Sequence, residues 1–282
     1  MPQGSFGRVR AWNDFTAIPP ISAADTVALA NGSLLGGGWA LCGVNEGTVI
    51  AVVDEPGGVL SLTTDTADND SHWISAGCWS PADGGMKMEV RLKSADYAIA
   101  TSGSAVFVGF VETFAVGTPV MPLEISTSTA TYNATPGFVG FLFDSDATDN
   151  PTVPSAQTKT GLYYRFVVGD AGARLASKDY NGTAGPALGI DAEVNSNGTT
   201  MTGDRWLVFR IEVDPDGLAR GYVGDMVNGE KGAQRLVGES TAALGTGDQF
   251  HAVAGIENRH AGAEVLEIDY AFAEGYRDWN TD

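Results

Sequence analysis

The chain has 282 residues, 43% of them hydrophobic and 18% charged, so it holds enough apolar material for a sizeable core and disorder is not its default state. Sixteen Lys and Arg against thirty-five Asp and Glu leave a net charge of −19, a sign that argues against nucleic acid and against an anionic membrane surface as partners. No stretch approaches the roughly 18 uninterrupted apolar residues of a membrane span.

In chain order, residues 1–35 read first as an extended arm. Pro19, Pro20, Asn31 and Gly32 break any regular pattern, and Trp12, Phe15 and Ile18 stand as isolated anchors. Arg8 and Arg10 are followed by no apolar segment, so no secretory signal is expected there. Such an arm either packs back on its own domain or reaches a neighbour.

From residue 36 to 282 the pattern is that of one β-sandwich domain. Glycines, 37 in all, recur with Asn, Asp, Ser and Thr clusters and cut the chain into short segments. Strands are predicted at Trp39–Val44, Thr48–Val53, Val59–Thr63, His72–Trp79, Met86–Lys93, Ala105–Val116, Gly137–Phe143, Gly161–Val168, Arg205–Val213, Leu218–Val223, Phe250–Ile256 and Glu264–Ala273. The alternation is strictest where Met86, Met88, Val90 and Leu92 share one face and Lys87, Glu89, Arg91 and Lys93 the other. Asp214-Pro215-Asp216-Gly217 is a turn sequence that makes a hairpin of its two flanking strands. The fold class is therefore all-β, a two-sheet antiparallel jelly-roll sandwich with few helices.

Little in the sequence carries chemistry. Cys42 and Cys78 read as two buried, reduced thiols. His72, His251 and His260 are not spaced as metal ligands, and His72 reads as an ordinary strand residue. Glu267-Ile268-Asp269 imitates half of a laminarinase-like glycosidase signature. The next acid, Glu274, has the wrong parity to complete a carboxyl pair, so Glu267 and Asp269 read as a solvated face opposite Leu266, Ile268 and Tyr270, and no enzyme is expected. Asp144, Asp146, Asp149 and their neighbours crowd hard oxygen ligands together. They read first as an acidic solvated loop and second as a calcium loop. Of the six indoles, Trp73, Trp79 and Trp206 are the candidates for a glycan or partner contact, with core packing the plainer reading. Gly77, between Trp73 and Trp79, is where a bulge would set those two on opposite faces.

Three phrases resemble a known family. Gly137-Phe138-Val139-Gly140-Phe141-Leu142-Phe143-Asp144-Ser145-Asp146-Ala147, then Trp206–Asp214 with Gly217 and Tyr222, and finally Val253–Arg259 leading to Leu266-Glu267-Ile268-Asp269-Tyr270 are similar to virion proteins of tailed bacteriophages with a concanavalin A-like, lectin or glucanase sandwich. The resemblance spans residues 105–275 or so. It implies a structural protein that decorates and cements the outside of a capsid, often as a homotrimer, with the major capsid protein and its own copies as partners and with host glycans as a further contact. The alternative is a free carbohydrate-binding, lectin-like module, and a glycosidase comes third.

Overall fold

The computed structural model describes residues 8–15, 32–44, 46–52, 58–94, 103–115, 117–126, 129–132, 137–145, 164–170, 173–174, 177–179, 206–227, 230–231, 234–259 and 261–276. Its strands are β1 Arg8–Asn13, β2 Leu34–Gly36, β3 Trp39–Val44, β4 Glu46–Val52, β5 Val59–Thr64, β6 Ser71–Trp79, β7 Met86–Ser94, β8 Ser104–Val111, β9 Leu123–Ser126 and β10 Thr129–Tyr132. The second half adds β11 Phe138–Asp144, β12 Arg165–Asp170, β13 Ala173–Arg174, β14 Ser177–Asp179, β15 Leu207–Val213, β16 Ala219–Val227, β17 Glu230–Lys231, β18 Arg235–Ser240, β19 Phe250–Asn258 and β20 Val265–Tyr276. All twelve segments predicted as strands contain one. Among the described residues the one helical turn is Pro81–Asp83.

The strands form the expected two-sheet antiparallel sandwich. A ten-stranded sheet runs β14-β18-β16-β15-β7-β20-β5-β4, with β1 added to β20 and β17 to β16, and an eight-stranded sheet runs β13-β12-β11-β8-β19-β6-β3-β2. Alternation decides what lies between them: Met88, Val90, Phe209, Ile211, Leu266 and Ile268 from the first sheet meet Ile74, Val108, Phe141, Phe166 and Ala254 from the second, all fully buried.

The eight-stranded sheet is covered on its other face too. There Trp73, Phe107, Leu142 and Val253 pack with Met121 and with Leu123 of the β9–β10 hairpin, which makes a second, smaller core. That is why β8 and β11 are buried at every position and lack a polar face. The second core also forces a close approach: a Cβ on Gly109 or Gly140 would run into the carbonyl of Val139 or Val108 across the β8–β11 pairing, under the Phe107 ring.

Within the segment read as an arm, Arg8–Asn13 pairs in register with Ala271–Tyr276 of β20. Asn13 closes the strand, donating through Nδ2 to Leu35 O at 2.8 Å and accepting from the Phe15 amide at 2.7 Å, and Phe15 is 1% exposed. These residues pack back on their own domain; residues 1–7 and 16–31 lie outside the described ones.

Candidate functional site

The outer face of the ten-stranded sheet is built by strands whose inward residues are small or apolar and whose outward residues are charged or aromatic. Register places Glu239, Arg220, Glu212, Lys87, Glu274 and Arg10 side by side across β18, β16, β15, β7, β20 and β1, alternating in sign. Two of these neighbours close as ion pairs, Arg220 with Glu239 at 3.0 Å and Arg10 with Glu274 at 2.8 Å. The parallel row above reads Tyr222, Arg210, Glu89, Phe272 and Trp12. Within it Arg210 bonds Glu212 and Gln234, and Glu89 accepts from Gln234 Nε2 at 2.8 Å.

A bulge in β20 completes this face. Ile268 lies opposite Leu92 and Tyr270 opposite Arg91, so Asp269 is one residue too many and reverses the parity of all that follows. Tyr270 therefore does not share the inward face of Leu266 and Ile268, as the unbroken alternation predicts; it turns outward. Its hydroxyl donates to Glu89 Oε1 at 2.7 Å, and burial, with Glu89 next, holds the phenol far above its ordinary range. On it lies Trp12, with ring centroids 5.4 Å apart and planes 21° from parallel, and Phe272, its partner across β1 and β20, stands 6.2 Å away with its ring tilted by 58°. Trp12 is 51% exposed, so the indole is held in place from beneath and beside while half of it faces water.

The three predicted indoles are not brought together. Trp73 is fully buried in the second core, its ring on Gly255 and its edge against Phe114 5.8 Å away. Trp79 is buried between the sheets. Gly77, at φ +61°, and Cys78 form the bulge that separates the two, because Trp79 pairs with Phe250 and Ala76 with Ala252. Neither Trp73 nor Trp79 is placed to meet a ligand at the surface, which corrects their reading as contact residues. Trp206 does lie on the outer face, with the Arg91 guanidinium 4.7 Å and the Lys93 ammonium 5.8 Å from its ring centre. Those cations also engage the glycosidase-like acids: Arg91 pairs with Asp269 at 2.6 Å and Lys93 with Glu267 at 3.4 Å.

Asp144 is buried and paired. Arg259 Nη2 donates to its Oδ2 at 3.1 Å, while Arg259 Nη1 donates to Glu257 Oε1 at 2.6 Å. Burial pushes the Glu257 carboxyl up to about 7, with Glu124 and Asp144 adding to the rise and Arg259 and the Met121 amide opposing it. Asp146 and Asp149 lie outside the described residues. His72 is buried and its ring is drawn down to about 4 by burial; His251 is lowered for the same reason, and His260 lies outside the described residues. Both cysteines are free, Cys42 buried as expected but Cys78 exposed, because the Gly77 bulge turns it outward beside Gln249.

Sequence reasoning missed a second acidic group. Glu112 after β8, Asp170 at the end of β12 and Asp248 before β19 bring carboxylate oxygens within 4.8 Å of one another. Burial raises the Glu112 carboxyl, Asp248 and Asp170 raise it further, and the Gly137 amide opposes them. Such a donor set suits a hard cation such as calcium. Nothing in the chain order signals it, since only the sheet order joins the three.

No protein-family model matches the chain, and no curated protein matches it either. Among solved structures, a protein of unknown function from Shewanella oneidensis MR-1, SO2946, superposes with TM-score 0.51 at 13% identity over 99% of this chain and 90% of its own. The Emp47p carbohydrate recognition domain gives 0.46 at 15% identity over 91% and 92%, and a legume lectin-like domain from Entamoeba histolytica 0.46 at 11% over 90% and 98%. At 13% identity the likeness to the Shewanella protein is one of fold alone, over nearly the whole length of the chain.

Proposed function

We propose that the chain is a non-catalytic carbohydrate-binding module that takes its sugar on the outer face of the ten-stranded sheet. The observation that carries this reading is Trp12, half exposed yet immobilised by Tyr270 and Phe272 amid charged side chains. Leaving so much indole in water forgoes up to about 2–3 kcal/mol of burial, a cost that a ligand can recover. A pyranose has an apolar C–H face suited to an aromatic ring and a rim of hydroxyls suited to carboxylates and guanidinium groups. Binding is favoured over turnover because Glu267 and Asp269 are engaged by Lys93 and Arg91. The test is a glycan array followed by calorimetry. Trp12→Ala is expected to weaken binding about tenfold or more, while loss of the contacts with Tyr270 and Phe272 costs about 0.5–1.5 kcal/mol of stability and leaves the chain folded. A silent array overturns the reading, and so does hydrolysis that Glu267→Gln abolishes.

A second reading, compatible with the first, is that the chain decorates and cements the outside of a phage capsid as a homotrimer, against the major capsid protein and its own copies, with the glycan face toward the host. Its support is the resemblance of three phrases, Gly137–Ala147, Trp206–Asp214 and Val253–Tyr270, to that virion family. Sedimentation as a trimer together with co-purification on particles is the expected result, and a monomer absent from particles overturns it.

A further inference from the structure

We propose that the sugar seated on the Trp12 platform is an anionic one, a pyranose bearing a carboxylate or a sulfate; this rests on the carbohydrate-binding reading above. The observation is the surroundings of Glu274. Arg10 Nε donates to its Oε2 at 2.8 Å, Arg8 Nη1 lies 3.6 Å from its Oε1, and Lys87 is its direct neighbour across β7 and β20. Glu274 thus faces three cations, and with Glu212, which borders Lys87 across β15 and is paired with Arg210, the patch is still net positive on a chain whose overall charge is −19. Lys87 makes no ion pair with any described residue and instead stands 5.8 Å from the centre of the Phe272 ring. Arg8 and Arg10 side chains are 37% and 56% exposed, and Arg10 commits only its Nε among the described residues, which leaves the terminal donors of its guanidinium for a second acceptor.

The patch adjoins the platform. Arg10 precedes Trp12 by two residues on the same face of β1, about 7 Å away, and Lys87 is two strands from Arg10, about 10 Å. A ring resting on Trp12 and Phe272 therefore carries a substituent over Arg10 and Lys87. The next carboxylates on this face are already engaged, Glu212 by Arg210 and Glu89 by Tyr270 and Gln234. With a screening length of about 8 Å at physiological salt, the adjacent cations outweigh the remoter negative charge.

The experiment is calorimetry of the full chain with three probes: a galacturonate trisaccharide, its methyl ester and a sulfated galacto-oligosaccharide. The acid is expected to bind about five- to tenfold more tightly than the ester. That gap closes as ionic strength rises and in Lys87→Gln, while Trp12→Ala loses all three. A stronger response to the uronate or to the sulfated probe identifies the anionic group, and either supports the assignment. If neither the acid nor the sulfated probe binds more tightly than the ester, the assignment is overturned and the platform is left standing. Absence of binding by all three overturns both.

Discussion

At Arg259 a guanidinium 7% exposed meets two buried carboxylates, Asp144 and Glu257, with Glu124 4.0 Å away at the rim. The cluster ties β19 to the end of β11 and, through Glu124 and the Met121 amide, to the segment that covers the second core. Removing the cation strands two ionised groups out of water, so Arg259→Met is expected to cost about 3–5 kcal/mol at pH 8. The penalty should shrink at pH 5. Glu257 is raised from 4.5 to about 7, so the folded chain holds that proton more tightly than the unfolded one. Its contribution to stability is present below pH 4.5 and is lost as pH rises through about 7. Urea unfolding of the variant at the two pH values checks this, and an equal penalty at both refutes it. In the parent chain Glu257→Gln should flatten the decline in stability across the same window.

At the scale of single elements, β8 and β11 cross so closely that neither central glycine has room for a methyl group. Gly140→Ala is expected to cost about 1–3 kcal/mol by forcing the backbones apart. Gly247→Ala, which meets nothing within 4 Å, is the control that should leave the melting temperature unchanged. The strands themselves were legible because period-two alternation is a local property, and Met86–Lys93 displays it without a break. The runs Ala105–Val111 and Phe138–Phe143 were legible as strands, but that both of their faces are buried, the second under a hairpin around Leu123, is a tertiary fact. The platform was hidden for a related reason. Arg8, Arg10 and Trp12 alternate with Val9, Ala11 and Asn13, a weak apolar face that becomes a strand only through the edge of β20. The Asp269 bulge that lifts Tyr270 beneath Trp12 leaves no glycine to betray it, whereas the Gly77 bulge that hides Trp79 does.

Over the whole molecule a net charge of −19 opposes compaction, and among the described residues much of the compensating positive charge is gathered on one sheet face. Simple salt is therefore expected to raise the melting temperature, because screening weakens repulsion among carboxylates that have no cation nearby. Glu112, Asp170 and Asp248 sharpen that expectation, since three chain segments must bring like charges together at one end of the eight-stranded sheet. If calcium neutralises them, about ten times its dissociation constant should add roughly 3–6 °C beyond the effect of sodium chloride at equal ionic strength. Chelator should reverse the gain. Asp248→Asn should abolish the calcium response yet raise the melting temperature in chelator, because it removes one of the mutually repelling charges. A calcium shift no larger than that of matched sodium chloride, with Asp248→Asn still stabilising, would make the triad a site of stored repulsion with no bound ion.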